Sequence, residues 1–222
     1  MKYAIAFVLF FCIIVYSSFA VGNGTSTDND ALLKIMFNYA NAGNLRALEA
    51  MKVEVNGQRN KNLALAYSLA LYIASPKTYE RQFVEAFPGD FEGMYYLYDQ
   101  IELKGLTPAF LYSIDSIGSI AKKGNEKAIE KVFRGYIHSD GVVAEIFCES
   151  IPGVFIEQVQ KSVSVLSRIE KEDRQKDYLC LLTLSPEQLA QVKKNIERLT
   201  PRVSRQERLV IREIMEIKRE KP

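Results

Sequence analysis

From residue 30 onward, apolar residues recur at intervals of three and four, and nowhere alternate singly for long. That period belongs to α-helices, and the punctuation between the runs is helical too. Asp28 or Asp30 is placed to cap a first helix with Leu32, Leu33, Ile35, Met36 and Tyr39 inward, which Gly43 ends. Asn44 opens a short helix through Leu45, Leu48 and Met51, and Asn56-Gly57 reads as a turn. The stretch "NKNLALAYSLALYIA", residues 60 to 74, is apolar nearly all round, which predicts a buried, central helix. Ser75-Pro76, Thr107-Pro108 and Ser185-Pro186 each set a hydroxyl at a helix N-cap and proline at the first helical position. The hydroxyl accepts from an orphan N–H, and proline has no N–H to leave unpaired. Ser185 with Gln188 and Ser204 with Glu207 have capping-box spacing. Asp90 opens "FEGMYYLYDQIEL", and Gly105 closes it. Gly124 closes the helix from Pro108, Asn125 opens the next, and Asp140 the one after. The pattern predicts eleven or twelve helices with short connections and no convincing strand. The expected class is all-α, an array of antiparallel helix hairpins.

Helix starts at Ser75, Thr107 and Ser139-Asp140 are 32 residues apart, a spacing that stacked helix hairpins produce, although Ser185 and Thr200 fall out of step. "IGSIAKKGNEKAIEKVFRGYIHSDGVVAEIFCESI", residues 117 to 151, carries the most regular unit. Ala128, Ile129, Val132, Phe133, Tyr136 and Ile137 line one helix face, with Glu126, Lys127, Glu130, Lys131 and Arg134 on the other. Gly135 leaves room for a neighbour to approach, and Glu130–Arg134 is a favourable i, i+4 pair. The unit resembles a HEAT-like repeat: Ile120-Ala121 before the Gly124 turn, then Ala128-Ile129, an Asp140 break, and Val142, Val143 and Ile146 packing in the second helix. The basic residue such repeats often carry in the second helix is missing, with Ala144 and Glu145 in its place. The resemblance implies a HEAT-like α-solenoid or compact α-α superhelix and, by family habit, protein binding. It carries over no catalytic residue.

The N-terminus has a different texture. Lys2, an apolar run from Ala4 to Val15, and Ser18 and Ala20 at small-residue positions read as a signal peptide over residues 1–20, cleaved after Ala20. The alternative, an uncleaved anchor, is short against the roughly 20 residues of a membrane span. Residues 21–29 read as a flexible polar lead, and residues 30–222 as a single helical domain with a basic C-terminal helix at 204–219. The expected location is the periplasm or the outside of the cell. Beyond residue 20 there are 28 basic and 27 acidic side chains. From Lys193 onward they number 10 against 5, a net of +5. Such a tail suits a solvated terminal helix or an anionic membrane surface, and glutamates interleaved with the bases favour a cap on the array.

Candidate chemistry is sparse. His138 is the only histidine, and it sits at a helix C-terminus where a cap is its natural role. One histidine and two distant cysteines cannot make a standard zinc site. No nucleophile elbow, phosphate loop or dinucleotide fingerprint is present. The expectation is a non-enzymatic protein without cofactor or metal, whose partner is another protein and not nucleic acid. An inhibitor, immunity-type or scaffolding role in the cell envelope fits. The alternative is a ligand- or membrane-surface-binding protein that uses the aromatic helix 91–103 or the C-terminal helix. The candidate binding residues are Phe91, Tyr95, Tyr96, Tyr98 and Tyr112, which with Phe83 and Phe87 cluster within thirty residues. They form either a tyrosine-rich core or an aromatic groove. Cys148 and Cys180 lie in apolar helical contexts, either as free buried cysteines or joined in a disulfide.

Overall fold

The computed structural model describes residues 26–57, 61–90, 93, 107–139, 141–199 and 203–217. Among these the chain is all-α, with twelve helices and no strand. Contacts divide it into two compact units, Met1–Ile35 and Met36–Pro222. In the first, the described residues, 26–35, are the opening part of α1 (Ser26–Asn41), whose remainder is assigned to the second. This helix starts ahead of Asp28, inside the span read as a lead, because the stretch from Thr25 to Asp30 offers several short polar residues able to open a helix. Its buried stripe is Leu32, Leu33, Met36, Phe37 and Ala40. Ile35, expected inward, is exposed, because the i, i+1, i+4, i+5 stripe leaves it on the far side.

The second unit continues with α2 (Leu45–Ala50), α3 (Lys52–Gly57), α4 (Lys61–Ala74) and α5 (Pro76–Ala86). The Asn44 side chain accepts from the Ala47 N–H and caps α2, behind a Gly43 with φ of +64°. Asn56-Gly57 is the end of α3, since residues that suit a turn also suit a helix C-terminus. α4 is buried from Leu63 to Tyr72 except at Ala64, and packs on α2, α3 and α5. Proline opens α5 as predicted, but the Ser75 hydroxyl donates to Thr78 Oγ1 instead of capping an N–H.

The rest of the unit comprises α6 (Thr107–Lys122), α7 (Glu126–Ile137), α8 (Gly141–Glu157), α9 (Val159–Leu166), α10 (Lys171–Leu181), α11 (Pro186–Glu197) and α12 (Arg205–Glu216). At the centre are α7, which touches α5, α6, α8, α9 and α10, and α8, which touches α6, α7, α9, α10 and α11. Gly124, with φ of +91°, ends α6, and the Asn125 side chain accepts from the Ala128 N–H to start α7. Ala128, Ile129, Val132, Phe133 and Ile137 are buried, with Tyr136 half-buried at the edge. Gly135 is a point of close approach, since a Cβ there would lie 2.6 Å from Phe147 Cζ of α8. Glu130 and Arg134 pair at 2.9 Å on the outer face. On α8 the inward face is Val143, Phe147, Ile151, Val154 and Phe155. Val142, expected to pack, is 63 % exposed because it lies about 100° round the helix from that line.

α9 holds the end of α6 from outside: Gln158 Nε2 donates to the Lys122 carbonyl and Lys161 Nζ to that of Gly124. Both predicted capping boxes form, at Ser185 for α11 and Ser204 for α12. α12 packs on α9 and α11 through Val210 and Ile214, with Ile211 and Met215 half-buried beside them. Lys193 of α11 donates to the carbonyls of Met215 and Ile217, closing the C-terminal end of α12. The predicted terminal helix thus ends at Glu216, and residues 218–222 lie outside the described residues.

Candidate interaction face and buried acid cluster

Of the five aromatic candidates, Phe91, Tyr95, Tyr96 and Tyr98 lie outside the described residues, although Asp90 Oδ1 accepts from the Gly93 N–H as a helix-opening residue would. Tyr112 is described, near the start of α6. It is 42 % exposed, and Leu111 beside it is 40 % exposed. The Tyr112 ring stands 6.3 Å from that of Tyr72 on α4. Tyr72 stacks on Phe83 of α5 at 4.4 Å, Phe83 meets Phe87 edge-on at 5.6 Å, and Phe87 meets Phe147 edge-on at 6.3 Å. Phe83 and Phe87 are therefore core, and only the outer end of the aromatic row reaches solvent. The Tyr72 hydroxyl shares a hydrogen bond with Ser116, and burial raises its pKa. Other tyrosines are tied down too: Tyr67 donates to the Leu48 carbonyl at 2.9 Å, and Tyr79 to Glu49 at 2.7 Å. The Glu49 carboxylate, by accepting that hydrogen bond, pushes the Tyr79 phenol up to about 12. Tyr112 thus stands as a surface aromatic with a rigid backing, the arrangement that gives contact area at low entropic cost.

A second cluster lies around α10, and the sequence reading did not isolate it. Arg174 is buried, and its guanidinium is bidentate to Glu213 of α12, Nε to Oε2 at 2.8 Å and Nη2 to Oε1 at 2.9 Å. Its Nη1 donates to the Ile169 carbonyl, and the Tyr178 hydroxyl donates to Glu213 Oε2 at 2.9 Å. Arg174 holds the Glu213 carboxyl below its usual range, and burial pushes the Tyr178 phenol far up. Beside this satisfied network sits its opposite. Asp177 is 0 % exposed, and neither carboxylate oxygen has a hydrogen-bond partner. Burial raises its pKa well above the ordinary carboxylate range; Asp173 adds to the shift, and Lys176 opposes it. Ser162 Oγ of α9 is likewise buried without a partner.

Three residues beyond Asp177, Cys180 is joined to Cys148 of α8 in a disulfide, with Cα atoms 5.2 Å apart. Cys180 is 0 % exposed, whereas Cys148 is half-buried. The signal for the acid was present in "DRQKDYLCLL", where Asp177 shares a helix face with Cys180 and Leu181. Among 27 carboxylates, nothing in one dimension distinguished it.

His138 sits at the C-cap of α7, its backbone N–H directed to the Arg134 and Tyr136 carbonyls. Among the described residues no group of three or more His, Cys, Asp or Glu is placed to hold a metal ion, and no helix is long and apolar enough to cross a membrane. No family model matches the chain, and neither a curated protein nor a solved structure matches it.

Proposed function

We propose that this is an exported, non-enzymatic interaction module that docks another protein, in an inhibitory, immunity-type or scaffolding role, with Leu111 and Tyr112 at the contact. The observation that carries the reading is the surface end of the aromatic row. Tyr112 is exposed, while Tyr72 and Phe83 behind it are fixed by stacking and burial. The resemblance of residues 117–151 to a HEAT-like repeat supports the same reading. Tagged Val21–Pro222, used to capture partners from its own envelope and secreted fractions, should retain one stoichiometric protein at moderate salt. Tyr112→Ala should abolish that capture while leaving the melting temperature within a degree or two. An empty capture at both low and moderate salt would sink the reading.

One observation favours the membrane-surface alternative. Arg205, Arg208 and Arg212 share the exposed face of α12 around Leu209. Of the glutamates that interleave with them, Glu207 is engaged in the capping box and Glu213 faces inward to Arg174. The Glu213 charge is thus withdrawn from the outer face, on which Glu207 and the exposed Glu216 keep theirs. Against that alternative, the apolar side of α12 is already occupied by α9 and α11, so only electrostatic attraction remains for a bilayer. Association with anionic vesicles that disappears at moderate salt, with no protein captured, would favour it.

A further inference from the structure

We propose that the Cys148–Cys180 disulfide is an exchange site for a dithiol, with Asp177 as the proton donor to the departing Cys180 sulfur. The inference is independent of the interaction reading and rests on three observations. The disulfide joins α8 to α10 with one sulfur on a wholly buried residue and the other on a half-buried one. Asp177 lies one helical turn before Cys180 and is wholly buried with no partner for either oxygen. A buried acid that bonds to nothing is costly, and is rarely kept without a chemical role or a ligand.

The asymmetry of burial sets the direction of reaction. A thiolate of the reductant reaches Cys148 and forms a bond to its Sγ. The Cys148–Cys180 bond breaks, and its electron pair stays on Cys180 Sγ. A bare thiolate there would be stranded in an apolar interior, which makes Cys180 a poor leaving group. The Asp177 carboxyl, kept protonated by its burial, passes its proton to that sulfur and regains one from solvent. The second thiol of the reductant then attacks its own sulfur in the mixed disulfide. Cys148 leaves and takes a proton from water. The dithiol is oxidised by two electrons, and the protein disulfide is reduced by two. The charged groups that act on Asp177 are Asp173 and Lys176 of its own helix. The Arg174 charge beside it is matched by Glu213.

The test is reduction of the folded, full-length mature chain by dithiothreitol, followed by thiol alkylation and mass, with far-UV circular dichroism recorded throughout. The wild-type disulfide should open without loss of helix. Its rate, divided by the thiolate fraction of the reagent, should fall as pH rises through the ionisation of Asp177. Asp177→Asn, which has the shape of the neutral acid, should open at least ten-fold more slowly between pH 6 and 7, with a flat corrected profile. A disulfide that opens only in denaturant overturns the proposal, as do equal rates and profiles for the two proteins. Should the Asn variant not fold, the wild-type profile decides alone, and a corrected rate that does not vary with pH overturns it.

Discussion

Asp177 has a consequence for stability as well as for chemistry. Its folded pKa lies well above the ordinary value of 3.8. As pH rises past that value the unfolded chain gives up a proton that the folded chain keeps, so stability falls with rising pH, by up to about 1.4 kcal/mol per unit until the folded group ionises. Asp177→Asn removes this slope. In urea denaturation it should be more stable than wild type at pH 8, with the difference shrinking toward pH 4. Glu213 has the opposite sign. Its pKa is lowered from 4.5 by Arg174, so its contribution is present above that value and is lost as pH falls through the folded one. Greatest stability is therefore expected in mildly acidic solution. Gly135 carries a second prediction at this scale. Alanine would gain about 1 kcal/mol of helix propensity but place its Cβ 2.6 Å from a fully buried Phe147 ring. The net expectation for Gly135→Ala is a loss of about 1–2 kcal/mol, measured by chemical denaturation, and largely recovered with Phe147→Leu.

Among the helices, α12 rests on few apolar contacts. Its apolar line is short, Val210 and Ile214 being its only fully buried residues, so the fork between Arg174 and Glu213 fixes its position. Glu213→Gln leaves a buried guanidinium without its counter-charge, and breaking such a pair costs about 3–5 kcal/mol. Hydrogen exchange should then show α12 opening ahead of α7. Ser204→Ala should cost about 1 kcal/mol by removing the capping box, without the loss of pH dependence that Glu213→Gln brings. These helices were legible in advance because their signals are local. Ser185, Ser204, Asn44 and Asn125 cap through side chains that reach only three residues along the chain. The differences at Ile35, Val142 and Ser75 are local as well: Ile35 and Val142 lie off the buried stripes of their own helices, and the Ser75 hydroxyl is taken by Thr78 three residues on.

For the molecule as a whole, the cross-link between α8 and α10 closes a separation of 32 residues, which by chain entropy stabilises by about 3–4 kcal/mol. Cys148→Ser should lower the melting temperature accordingly and leave helical content unchanged. What the sequence by itself determined was the class, the helix starts and stops, and the faces of the best-patterned helices. Periodicity and capping are short-range properties, written in residues one to five positions apart. Tertiary structure alone decided which helices meet. It set α7 among α5, α6, α8, α9 and α10, and brought Cys148 to Cys180 and Glu213 to Arg174. Among the described residues it also buried Asp177 without a partner. Those pairings join residues 32 and 39 positions apart. Which distant groups share one dry interior depends on how the helix faces pack together, and no single stretch of the chain carries that information.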